Sequence, residues 1–94
     1  AAQAQSDDAV AQFYGNVRSQ YERTMSLRKT AREYASIVKK LSSTEYLTKA
    51  LQAGQISIVD YINENKLYYE AIEKSLEAER DYRLALAELQ SYLD

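Results

Sequence analysis

Ala53-Gly54-Gln55-Ile56-Ser57-Ile58-Val59-Asp60 decides how this 94-residue chain folds. Gly54 is one of only two glycines, and the chain has no proline. A glycine without Cβ takes the left-handed conformation that ends a helix. Three residues later, Ser57 has the side chain that caps a new helix by accepting a hydrogen bond from a free backbone N–H. Asp60 stands where it can reach back to the Ser57 amide and face the positive end of the helix dipole. Ile56 and Tyr61 occupy the two positions of a hydrophobic staple. These signals predict a turn over residues 53–57, with Leu51, Gly54, Gln55, Ile56 and Ser57 forming the tip.

On both sides of the turn the sequence reads as helix. Before it, Val10, Phe13, Val17, Gln20, Thr24, Leu27, Ala31, Tyr34, Val38 and Leu41 recur at steps of three and four. Ser42-Ser43-Thr44 interrupts this stripe, which resumes at Leu47, Ala50 and Leu51. After the turn come Ile58, Tyr61, Asn65, Tyr68, Ile72, Ser75, Glu79, Tyr82, Leu86, Leu89 and Leu93. Ile62, Tyr69 and Leu76 form a line on one flank; Ala71, Ala78 and Ala85 form a line of small residues on the other. Gly15 lies inside an unbroken periodic run and reads as an interior helical glycine costing ~1 kcal/mol.

The expected fold is all-α: one domain over residues 1–94, built as a long antiparallel helical hairpin. One helix is predicted over about 6–52 and the other over about 58–93, roughly 70 Å and 54 Å long. A turn centred on residues 53–57 would set Leu93 near Val17, Leu86 near Met25 and Ile72 near Lys39. The first ~16 residues would then overhang, leaving Val10, Phe13 and Tyr14 without a partner in the chain.

Charge is divided between the halves. Residues 1–53 hold eight basic and five acidic groups, and residues 54–94 hold four and nine, within a net charge of -2. That division predicts pairing between the halves. The small net charge does not favour nucleic acid or an anionic membrane surface. Cysteine and histidine are both missing, which excludes Cys/His zinc sites, disulfides and Ser-His or Cys-His catalysis. No glycine-rich phosphate loop or acidic calcium loop is present, so no metal or cofactor is expected. Carboxylates such as Glu73, Glu77, Glu79 and Asp81 fit a solvated face with i,i+4 pairs such as Glu79–Arg83, not an enzyme.

Two helices can cover only a narrow seam on each other. This chain carries nine tyrosines and a wider apolar stripe. The packing and oligomer face is expected on Tyr61, Tyr68, Tyr69, Ile72, Ala71, Ala78, Ala85 and Tyr82. A hairpin this small has little interior, so association with other helices into a bundle or α-barrel is expected. A dimer forming a four-helix bundle is the simplest such assembly for the chain alone.

Residues 53–62, Ala-Gly-Gln-Ile-Ser-Ile-Val-Asp-Tyr-Ile, and residues 77–89, Glu-Ala-Glu-Arg-Asp-Tyr-Arg-Leu-Ala-Leu-Ala-Glu-Leu, resemble the C-terminal structural repeat of the TolC-like outer-membrane efflux proteins. The likeness is strongest over residues 51–93. It implies a wall segment of the periplasmic tunnel of a trimeric channel, working with an inner-membrane transporter and a periplasmic adaptor protein. Membrane contact would come only through β-barrel strands that this stretch lacks. The resemblance puts the turn at the tunnel entrance. Of two aspartates that narrow the entrance in some members, Asp60 matches the first, while the second falls on the uncharged Asn63. A Tyr–Arg lock found in some members falls on Leu51 and Ile56, so that polar lock is missing. Read from the residues alone, Asp60 is the acid of a capping box, and the chain is a coiled-coil scaffold or interaction module.

Overall fold

The computed structural model describes residues 2–94, with side chains described from residue 7 onward. Three helices follow in order: α1 over Ala2–Lys40, α2 over Thr44–Gln52 and α3 over Ile58–Leu93. Helices α1 and α2 run out along one arm of a hairpin, and α3 returns along the other. The result is a thin rod of 79 × 19 × 14 Å. Among the described residues there is no strand, and no helix is long and apolar enough to cross a membrane.

The turn forms where the sequence predicts it. Gly54 has φ 71°, and it is the one residue with positive φ among those described. Its amide donates to the Leu51 carbonyl at 3.0 Å, and the Gln55 amide donates to the Ala50 carbonyl at 2.9 Å. These two bonds make a Schellman motif, in which a left-handed glycine closes off the carbonyls that the helix end leaves free. Ser57 then caps α3, its hydroxyl accepting from the Asp60 amide at 3.1 Å. The Asp60 carboxylate makes no return bond to the Ser57 amide, so half of the capping box is realised. Ile56 and Tyr61 are both half-buried, as a staple requires.

The first arm departs from expectation in one place. A single helix over about 6–52 is replaced by two, separated at Leu41–Ser43. The serine-rich stretch that interrupts the apolar stripe also interrupts the backbone ladder. Serine and threonine side chains compete for main-chain groups and so favour caps over helix interiors. Ser43 does this here: it adopts an extended conformation, φ -69° and ψ 160°, and its hydroxyl accepts from the Tyr46 amide. α1 ends with the Leu41 amide shared between the carbonyls of Ile37 and Val38.

The register also differs from the expected one. Thr44 bonds Asn65, Thr48 lies 3.3 Å from the Tyr61 hydroxyl, and Thr24 faces Ala85. The sequence separation from Thr24 to Thr44 equals that from Asn65 to Ala85, so the offset survives the break. It places Ala85 opposite Thr24, two positions before the residue expected there. The cause is the tightness of the turn, which closes between Ala50 and Gln55. As a result the overhang is shorter than predicted. The Phe13 ring meets Tyr92 edge-on, with centroids 6.3 Å apart, and also packs on Tyr14 at 5.9 Å. Phe13 therefore does have a partner within the chain.

Helix packing is concentrated in one seam. Ala31, Leu47, Ala50, Ala78, Ala85 and Leu89 are its buried apolar residues. Small side chains at Ala31, Ala78 and Ala85 let the backbones of α1 and α3 come close. That closeness brings Thr24, which has no solvent exposure, against a main-chain carbonyl of the opposite helix.

The divided charge does not act as the sequence suggests. Each of the four ion pairs among the described residues joins two side chains of the same helix: Arg18–Glu22 on α1, Lys49–Glu45 on α2, and Arg80–Asp81 and Arg83–Glu79 on α3. Among the described residues no ion pair bridges the two arms. The seam is made of alanine, leucine and neutral polar side chains, and the charged groups are turned to solvent.

Candidate functional site

Two regions hold the residues that the sequence singles out: the tip, and the long faces of α3. At the tip, Gly54, Gln55, Ser57, Asp60 and Asn63 are exposed, whereas Leu51 and Ile56 are half-buried. Asp60 lies in the first turn of α3, where the partial positive charge of the helix end favours a carboxylate. Asn63 is further along the same helix, on the surface. A cavity of about 380 Å³ opens beside the tip, lined by Ser42, Leu47, Ile56, Asp60 and Glu64 among others. It shows that α2 does not pack fully against the start of α3. Among the described residues no group of three or more acidic side chains is placed to hold a metal ion.

Along α3 the predicted packing face divides in two. Ala78 and Ala85 are buried, and Tyr61, Tyr68, Ala71, Ile72 and Tyr82 are half-buried. These residues face or border the seam with the chain's own first arm. Tyr69 points away and is 56% exposed, with its ring 6.0 Å from that of Tyr68. The flanking line stays open along its length: Ile62 is 58% and Leu76 66% exposed. Leu67 and Leu84 add further exposed apolar surface on α3, as do Tyr14, Tyr21 and Ile37 on α1. The uncovered apolar surface is therefore real, but most of it lies outside the set the sequence singled out.

A row of polar contacts inside the seam goes beyond what the stripe pattern predicts. The Gln20 amide nitrogen donates to the Ala85 carbonyl at 2.9 Å, and the Thr24 hydroxyl reaches the same oxygen. Nearer the tip, Thr44 bonds Asn65, and Thr48 pairs with Tyr61. The signal was present in the sequence, because Gln20, Thr24 and Asn65 occupy stripe positions where apolar residues predominate. Polar residues at such positions fix register, since a slip strands a buried polar group.

Comparison with known proteins yields no match, whether to a family model, a curated protein or a solved structure.

Proposed function

We propose that this hairpin is a wall segment of the periplasmic tunnel of a trimeric outer-membrane efflux channel. In this reading the chain is one stave among several, Gly54 marks the tunnel entrance, and the barrel strands lie elsewhere in the protein. A periplasmic adaptor and an inner-membrane transporter are its partners, and transport energy comes from the transporter. The chain performs no chemistry; it shapes a path.

One observation carries the reading: apolar side chains remain exposed along both arms of a rod only two helices thick. An independent rod in water gains nothing from such surface, whereas a stave in a closed wall buries it against neighbours. The resemblance over residues 51–93 names the kind of wall. In this reading Asp60, exposed near the turn, contributes to a ring of negative charge when copies surround an opening.

Reading the gene outside these 94 codons tests the proposal. The expected result is an export signal, a second and similar helical repeat, and alternating segments of about ten residues that form outer-membrane strands. A free-standing short reading frame would overturn it.

A further inference from the structure

Three cavities on one side of the hairpin join into a single groove. The first and second share Leu27 and Asp81; the second and third share Tyr34 and Lys74. The groove runs along α3 from Leu67 to Glu88, about 30 Å at 1.5 Å per residue. From Leu67 to Ala78 its floor is mainly apolar, with Leu27, Tyr34, Leu41, Leu67, Ala71 and Ala78 contributing, whereas the end near Glu88 is more polar. Its rim carries Glu70, Glu77, Asp81 and Glu88 against two cations, Arg23 and Lys74. A channel of this length and character fits one amphipathic helix with an apolar centre and basic edges.

The chain itself carries a shorter face of that kind, running from Met25 to Ser36 over about 17 Å of α1. Met25, Arg28, Lys29 and Arg32 line a shallow shelf on α1 that shares no residue with the groove. At 3.6 residues per turn, Met25 and Arg32 stand roughly half-way round α1 from Arg23, Thr30 and Ile37, which line the groove. Met25 gives the shelf an apolar centre, with three cations around it and Glu33 as the one acid. Among the described residues none of those three cations forms an ion pair. Arg28 and Arg32 are one helical turn apart, as are Glu77 and Asp81 on the groove rim.

We infer that the groove of one chain receives the basic shelf of a second copy. Charge decides the pairing. Groove against groove would set four acids and only two cations from each rim against the same set, and shelf against shelf would bring cations together; both are less favourable than acid against base. Groove against shelf joins two different surfaces, so the contact is head-to-tail and repeats from copy to copy. It produces a ring or an open row, not a closed dimer. This goes beyond the channel-wall reading and does not rest on it, because both surfaces belong to this chain alone.

Analytical ultracentrifugation of the 94-residue chain across concentration and salt tests the inference. The expected result is reversible growth past dimer, weakened when salt rises and the Debye length falls from about 10 Å to a few ångströms. Arg28→Glu with Arg32→Glu, and separately Glu77→Lys with Asp81→Lys, should each weaken association at least about tenfold. Circular dichroism checks that both variants keep the helical content of the parent. An equimolar mixture of the two should associate again, because the reversed shelf of one now fits the reversed groove of the other. A chain that stays monomeric or stops at dimer overturns the inference. So does association unchanged by either reversal, or a mixture that fails to recover. The channel-wall reading fails by a different result, the gene context, so the two are separable.

Discussion

The buried hydroxyl of Thr24 stands 3.2 Å from the main-chain carbonyl oxygen of Ala85 on the opposite arm. The same hydroxyl lies 2.7 Å from the Gln20 carbonyl, so its one proton serves either acceptor. Two backbones come this close because Ala85 has no side chain beyond Cβ. The contact, together with that of Gln20, pins the two arms at the end far from the turn.

Removing the hydroxyl tests that pin. Thr24→Val keeps the volume and loses the hydrogen bond, so unfolding free energy should fall by about 1 kcal/mol. Thr24→Leu should cost more, about 1–3 kcal/mol, by forcing the arms apart. Urea unfolding followed by circular dichroism reads both. A Thr24→Val variant as stable as the parent would show that the contact contributes nothing.

The two glycines make opposite predictions. A Cβ at either position meets nothing within 4 Å, so sterics with neighbours play no part. Gly54 is held at φ 71°, where an L side chain is strained, and Gly54→Ala should cost about 1–2 kcal/mol. Gly15 lies inside α1, and Gly15→Ala should stabilise by about 0.5–1 kcal/mol. Thermal unfolding of the pair should move in opposite directions; a shift in the same direction contradicts the turn geometry.

Ser57 and Ser43 each cap a helix through a side-chain oxygen. Replacing either by alanine should lower stability by about 0.5–2 kcal/mol. The two differ in how far the damage spreads. α2 has nine residues, too few to hold a helix by itself in water. Hydrogen exchange should therefore show the amides of α2 opening ahead of the centres of α1 and α3, and Ser43→Ala should speed α2 alone. Uniform protection along the whole first arm would mean that the break at Leu41–Ser43 is not a real boundary.

Salt separates the fold from the assembly. Among the described residues every ion pair lies within a helix and is largely exposed, and such pairs contribute about 0–1 kcal/mol. At protein concentrations below association, helical content and unfolding midpoint should change little as salt is raised. Loss of the hairpin at high salt would show that charge, not the apolar seam, holds the arms together.

The turn was legible because its chemistry is local. Gly54, Ser57 and Asp60 act on backbone groups within a few residues, so sequence order alone places them. The break at Leu41–Ser43 was half legible. Ser42, Ser43 and Thr44 visibly interrupt the stripe, but whether a rod bends or breaks there depends on which main-chain groups the serines bind. Register depends on where the loop closes, here between Ala50 and Gln55, and Ala85 opposite Thr24 could not be read from composition. The same holds for the groove, which exists because short side chains at Ala71 and Ala78 sit between Leu27, Tyr34 and Leu67 of the folded rod. Opposite charge on the two arms suggests mutual pairing, yet among the described residues no ion pair joins them. The alanine seam leaves no room for long charged side chains, so they stay outside.

A single measurement tests whether the polypeptide doubles back at Gly54. The chain has no native cysteine, so Asn16→Cys with Ser91→Cys carries two spin labels at exposed positions far from the turn. Pulsed dipolar spectroscopy, with the labelled chain diluted into unlabelled chain, reads the distance within one molecule. Neighbouring helix axes lie about 8–10 Å apart, so the labels should fall within roughly 20 Å of each other. An unbroken rod would hold them on the order of 110 Å apart, and a distance near that value would contradict the fold and everything built on it.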